Sequence, residues 1–508
     1  MTTLNKTLAL HYTRVPMTLS LPFALVILSG CSLTPDYSAP DEPGSWVYKE
    51  APALAQSQVG SWKQAQPAEE QLRGQWWRVF GDPRLDQLEE QAALANPGLQ
   101  AAAARLKQSR ALQRDAWAEK MLRVDAASGP SRQRESPASQ GLPGGGSANT
   151  FTLWRAELGI SYEVDLVGRV DAQVGAATAE MEKSGALYRT VLLALQADVA
   201  EHYFQIRELD TQLYVYRRTL ELRNDTYRLI KHRHDNGDAG ELDLVRARSE
   251  LEAARSEALG VERERVSAEH ALAVLLGLAP AKFSLEPQSL GAKDIDIPPG
   301  LPSSLLERRP DIAAAERSMA AANARIGIAK AAFFPKLELT ASGGFESNEL
   351  GNLFEWSSRT FLLGPLAGAV MTLPLFDGGR RQAGVDYSRA AYEEDVARYR
   401  EVVLKAFAEV EDNLALLRIM GEQSRAQQIA LSASERAAQL SHLQYREGSH
   451  TQLDTIDADR TMLTQQLASA RLNGDKARST VRLIRALGGG WEDAQQRQQS
   501  IVSNTRGE

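Results

Sequence analysis

The chain has 508 residues, a formal net charge of −7, 24% charged residues and 6% aromatic residues. That length exceeds one simple core and asks for several domains or an elongated repeat. The negative balance excludes a nucleic-acid partner held by charge, because phosphate neutralisation needs a basic surface.

The N-terminal 30 residues read as a signal peptide. Lys6 and Arg14 precede an apolar run from Met17 to Leu28 that is too short to span a bilayer. The run ends in Leu28-Ser-Gly-Cys31, the lipobox pattern in which the cysteine thiol is acylated and becomes the first residue. Cys31 is the only cysteine, so no disulfide framework or thiolate metal cluster is expected. Acyl chains at Cys31 imply attachment to membrane lipid. Ser32 follows, with no aspartate retention signal, so transfer to the outer membrane of a double-membraned bacterium is expected.

Residues 31–82 form a proline-punctuated tether (Pro35, Pro40, Pro43, Pro52, Pro67). Asp82-Pro83 is a helix start, and helical patterning runs to about Leu122, interrupted at Asn96-Pro97-Gly98. Near Arg123 the period changes to two. Leu158, Ile160, Tyr162 and Val164 alternate with Glu157, Gly159, Ser161 and Glu163, predicting a strand within a β-hairpin at about 123–165. A very long helix then runs to about Asp235, where Gly237 breaks it. At 1.5 Å per residue its length is about 100 Å. A returning helix ends near Leu276-Gly277, completing a first repeat over 83–278.

The segment 279–302 carries five prolines and reads as a linker. A second repeat over 303–490 follows, with a helix after Arg309-Pro310-Asp311 and a hairpin at about 336–376, whose second strand runs from Gly364 to Leu375. Val403, Phe407, Val410, Leu414 and Leu417 mark a coiled-coil seam on its long helix. Residues 491–508 form a polar tail. The two turns echo each other, since 448−237, 453−242 and 454−243 all give 211. In each, a glycine ends one helix and Leu-Asp opens the next.

Four strands per chain cannot close, and an open sheet edge is not tolerated in lipid. If the hairpins enter a membrane, several chains must share one barrel. A soluble coiled-coil protein with β decoration is the alternative. Elsewhere, His232 and His234 point to different sides of a helix. Gly144-Gly-Gly and Gly488-Gly-Gly lack the Lys-Ser/Thr of a phosphate loop. With no catalytic or metal-ligand pattern, neither an enzyme nor a cofactor or metal is expected.

Taken in order, Leu28-Ser-Gly-Cys31, Pro35-Asp36-Tyr37, Trp76-Trp77 to Leu85, Arg309-Pro310-Asp311-Ile312 to Glu316, Ala332-Phe-Phe-Pro335, Leu375-Phe-Asp-Gly-Gly379 and Leu487-Gly-Gly-Gly-Trp491 resemble the outer membrane factor family. These are the TolC-like exit ducts of bacterial efflux systems, and the lipidated OprM-type branch is the nearest in pattern. The resemblance covers nearly all of the mature chain. It implies a mainly α fold with membrane β: a two-fold internal repeat whose four strands per chain join a homotrimeric, twelve-stranded β-barrel continuous with an α-helical coiled-coil tunnel. It further implies a periplasmic adaptor and an inner-membrane pump as partners, and export of drugs or other small toxic compounds. An exit duct for secreted proteins, or a lipid-anchored coiled-coil scaffold without a pore, are the alternatives.

Carried over by position, the resemblance also implies a periplasmic gate built from Asp243, Leu453, Asp454, Asp457 and Arg460, with Arg246 as a possible partner, and adaptor contacts at the hairpin tips around Gly237 and Gly448. Leu453, Asp457 and Arg460 are spaced i, i+4, i+7 on one helical stripe. Leu453, Ile456, Arg460, Leu463 and Leu467 read as a seam in which Arg460 fills an apolar slot and needs a carboxylate, with Asp457 one turn back. The tips depart from the family, being polar where an apolar residue commonly flanks the glycine.

Overall fold

The computed structural model describes residues 33–38, 49–50, 75–134, 136, 150–291, 295, 308–363 and 368–489. Cys31, the signal peptide, the C-terminal tail and parts of the tether and linker therefore lie outside the described residues. The order is a short 3-10 helix (Trp76–Phe80), then α1 (Pro83–Ala95), α2 (Pro97–Ala118), β1 (Arg123–Arg134), β2 (Thr150–Val164), α3 (Arg169–Asp235) and α4 (Glu241–Leu275). The second half supplies α5 (Pro310–Ala331), β3 (Lys336–Ser347), β4 (Arg359–Leu363), β5 (Ala369–Thr372), α6 (Arg380–Arg446) and α7 (Gln452–Ala486).

The long helical hairpin is repeated to the residue. Helices α3 and α6 both have 67 residues, α4 and α7 both have 35, and each second copy starts and ends 211 positions after the first (380−169, 446−235, 452−241, 486−275). Strands β1 and β3 both have 12 residues, offset by 213 (336−123). Even the joints repeat. Asn96 donates through Nδ2 to the carbonyl of Leu275 at 2.8 Å, and Arg309, 213 positions on, donates to the carbonyl of Ala486 at 3.1 Å. In both cases a side chain before the short helix satisfies an orphan carbonyl at the end of the returning helix.

The chain divides into two compact units. The first contains the sheet. Strands β1, β2 and β3 pair antiparallel in that order, and β4 and β5 both pair with β3. The pairing sums differ by four (341+363 against 336+372), so β4 and β5 follow one another along the same side of β3 as one strand track in two registers. The expected fourth strand thus begins earlier than Gly364, and residues 364–367 lie outside the described residues. Similarly, α2 stops at Ala118 rather than near Leu122, where the turn at Glu119–Met121 hands over to β1.

The register gives this sheet one mainly apolar and one mainly polar face, with Arg132, Arg134 and Arg359 on the first and exposed Leu362 on the second. Val124, Leu158, Ile160, Leu339, Phe361, Leu363 and Met371 share one face and are all exposed. The other face carries Arg123, Asp125, Glu157, Thr340, Ser342 and the Arg155–Glu346 ion pair at 2.9 Å. Gly344 allows the close approach of β2, since a Cβ there meets the Ala156 carbonyl oxygen and the Glu157 Cα. Among the described residues, nothing pairs with either edge of the sheet. Among the described residues, no helix is long and apolar enough to cross a membrane.

The second unit is helical. Its core joins Leu85 and Leu88 of α1, Tyr203 and Ile206 of α3, Leu272 of α4, Val410 of α6 and Ile484 of α7, all buried. As expected, Asp82 caps α1, accepting from the amides of Arg84 and Leu85. Its other oxygen accepts from the Tyr203 hydroxyl at 2.5 Å. On α6 three of the five expected seam residues, Val403, Val410 and Leu414, are buried, while Phe407 and Leu417 are half-buried and Ala406 takes a fully buried place.

One core group is out of place. Glu89 is wholly buried and neither carboxylate oxygen has a hydrogen-bond partner. Burial, then the nearby Asp86 charge, pushes its carboxyl well above the usual range. A raised folded value means this group favours the fold in acid, and the benefit is lost as pH rises from the ordinary carboxylate value towards the raised one. Glu89→Met, which fills the same space without the polar atoms, is expected to raise the apparent unfolding temperature at pH 7.5. The gain corresponds to about 1–3 kcal/mol. It shrinks at pH 5, and differential scanning calorimetry at fixed scan rate measures both.

Candidate gate at the ends of the helical hairpins

Each long hairpin turns through the same device. Gly237 and Gly448 take left-handed φ values of 83° and 79°. The following amides, Asp238 and Ser449, reach back to the carbonyls of Arg233 and Gln444 at 2.7 and 3.0 Å. This is the Schellman closure, in which glycine accepts the left-handed conformation without steric cost. A Cβ at either glycine meets nothing within 4 Å, so the glycines are required for backbone conformation and not for space.

The next helices start differently. Gly240 precedes α4 and offers no side-chain cap, whereas Thr451 and Asp454 form a reciprocal capping box on α7. Asp454 accepts from the Thr451 amide at 2.9 Å and from its hydroxyl at 2.6 Å, which holds the Asp454 carboxyl below its usual value. Asp454 is therefore engaged in starting the helix. Its counterpart Asp243 is half-buried, and neither Asp243 nor the expected partner Arg246 has an ion pair among the described residues.

The charged centre lies two to three turns into the returning helices. Arg460 of α7 grips Glu250 of α4 with Nε and Nη2, the Nε–Oε2 distance being 3.1 Å. Arg223 of α3 approaches the same carboxylate at 3.3 Å and donates to the Glu250 carbonyl at 2.7 Å. The Glu250 side chain is only 13% exposed, against 56% for Arg460 and 64% for Asp457. Asp457 sits 3.8 Å from Arg460, so the expected pair exists but is the looser of the two. A fork-shaped guanidinium matches a carboxylate best when both donors engage, as they do on Glu250.

This geometry corrects the expected seam. On α7 the buried stripe is Thr455, Leu463, Leu467 and Ala470, with Asp459 between, while Leu453 is exposed and Arg460 points off the seam. The two stripes share Leu463 and Leu467 and diverge only towards the turn. There polar Thr455, bonded to the Thr451 carbonyl at 3.4 Å, takes the inward place. Asp459 then meets His442 of α6 at 2.9 Å. Sequence reasoning missed Glu250, Arg223, His442 and Asp459. A signal existed in the 211-residue offset: Asp457 and Asp459 correspond to Arg246 and Arg248 (457−246 and 459−248), so charge signs alternate between the repeats at this level.

The sequence profile described as outer membrane efflux protein matches residues 88–278 and 301–489, one segment for each structural repeat. The chain belongs to this family. It is 34% identical over 493 residues to the antibiotic efflux pump outer membrane protein ArpC of Pseudomonas putida, covering 96% of this chain and 99% of that one. The toluene efflux pump outer membrane protein TtgC, also of Pseudomonas putida, has the same identity and coverage. Among solved structures, the outer-membrane channel OprN superimposes with a TM-score of 0.80 at 28% identity, covering 91% of this chain and all of that one. Like these relatives, this family member is a bacterial outer-membrane protein of mainly helical, two-repeat fold with a β-sheet.

Proposed function

We propose that this outer membrane efflux protein is the exit duct of a tripartite system that exports drugs or other small toxic compounds. The observation that carries the reading is the two-faced sheet with both edges open. An apolar outer face suits lipid, a polar face suits a water-filled lumen, and unpaired edges require further copies. Four strand tracks per chain give twelve in a homotrimer. The exposed Leu453 then finds apolar partners in the other copies, and three Glu250–Arg460 links hold the helical hairpins closed at rest, with Asp457 adding carboxylate charge beside them. The polar tips at Gly237 and Gly448 are assigned to a periplasmic adaptor that connects to an inner-membrane pump. Cys31 carries the acyl anchor.

The test is a deletion strain complemented with the full-length chain. Restored resistance to antibiotics or organic solvents, together with discrete conductance steps from the purified protein in planar bilayers, supports the duct. A well-folded protein that gives no steps, even after the Glu250–Arg460 link is removed, leaves the coiled-coil scaffold as the better account. The intact mass of the same preparation reports on Cys31, because lipidation adds acyl chains that Cys31→Ser lacks.

A further inference from the structure

Four helices meet through one charged network just inside the turns. Its members are Arg223 on α3, Glu250 on α4, His442 on α6, and Asp457, Asp459 and Arg460 on α7. Glu250 takes Arg223 and Arg460, while Asp459 takes the His442 imidazole at 2.9 Å and also lies in the field of Arg223. With the imidazole neutral, three carboxylates share two guanidiniums, and Asp459 and Glu250 both draw on Arg223. A protonated His442 balances the count. It meets Asp459 directly and leaves Arg223 to Glu250.

We propose that His442 and Asp459 make the closed gate responsive to periplasmic pH, with mild acid tightening it. The inference rests on the gate reading above. An imidazole is the side chain that ordinarily gains charge between pH 8 and 5. Four of the described histidines lie near the two turns: His232, His234, His442 and His450. Among the described residues only His442 bridges two helices. His234 and His450 approach aspartates on their own tips, Asp235 at 3.7 Å and Asp454 at 3.8 Å, and His232 touches Asn236 one turn away. Asp459 is also the partner that gains most from a nearby cation, because burial pushes its carboxyl up and His442 opposes that shift. Because burial in the packed arrangement raises the Asp459 carboxyl, a proton held by the His442–Asp459 pair favours that arrangement. The stabilisation is present in acid and is lost as pH rises.

The experiment is single-channel recording of the full-length lipid-reconstituted protein between pH 7.5 and 5.5. Resting open probability of the wild type is expected to fall roughly tenfold across this window, equivalent to about 1.4 kcal/mol over the whole assembly. His442→Gln and, independently, Asp459→Asn should lose most of that dependence, whereas His450→Gln should keep it. A pH-independent wild type, or a His442→Gln channel that follows the wild-type curve, overturns the proposal. Arg460→Ala separates the two failures. If it opens the resting channel while His442→Gln tracks the wild type, only the pH response is wrong; if it leaves the channel closed, the gate reading itself has failed.

Discussion

Glu250→Ala is expected to raise the resting conductance of the reconstituted channel and to let antibiotics leak across the outer membrane, and Arg460→Ala should do the same. Arg460 is more than half exposed, so solvent screening limits one link to about 1 kcal/mol. In the proposed gate, three symmetry-related links opening together would contribute about 3 kcal/mol, which is roughly a hundredfold in the open-to-closed ratio. Asp457→Ala should do less, because its 3.8 Å approach leaves the bidentate grip on Glu250 intact. The Glu250→Ala/Arg460→Ala double variant is expected to match the larger single effect, the signature of residues acting as a pair. Additive effects would show that the two side chains act separately. Unchanged leak in folded, membrane-inserted variants would reduce the link to helix-surface charge.

That ranking of Glu250 above Asp457 shows where sequence reasoning stopped. Elements were legible because each is set by local chemistry: Asp82-Pro83 starts a helix, Gly237 and Gly448 end helices, and alternation from Glu157 to Val164 marks a strand. The repeat made the two glycine readings redundant, since an error in one copy would have broken the 211-residue offset. Arg460's main partner was not legible because it lies 210 residues away, on a helix of the other repeat. Only packing decides which of several acidic residues faces it. The phase of the α7 seam failed for a related reason. A hydrophobic stripe identifies a buried face only where that face is apolar, and here the inward positions near the turn are Thr455 and Asp459. The fourth strand track was legible in composition but not in continuity, because its displacement against β3 depends on residues that pair 341+363 and 336+372 rather than on any local pattern.

The largest expected loss of stability comes from a different cross-repeat contact, between Glu208 of α3 and Arg478 of α7. The Glu208 side chain is 8% exposed and accepts from an Arg478 Nη1 and from Gln212 Nε2 at 2.9 Å. Gly474 permits the approach, since a Cβ there falls against the Glu208 carboxylate. Burial raises the Glu208 carboxyl above its usual value, and Arg478 works against that shift. Removing the arginine leaves an uncompensated buried charge, which costs about 3–5 kcal/mol. Arg478→Met is therefore expected to lower the apparent unfolding temperature sharply at pH 7.5. The sign with pH follows from the raised carboxyl: without its partner Glu208 takes up a proton more readily, so the loss is small at pH 5 and grows as pH rises. Glu208→Gln in the Arg478→Met background removes the charge and keeps an oxygen for Gln212, and it should recover most of the stability at pH 7.5. Thermal unfolding of the wild type and the two variants at both pH values decides the matter. An equal loss at both, or no recovery in the double variant, would mean that lost packing around the Arg478 stem and not the stranded carboxylate sets the cost.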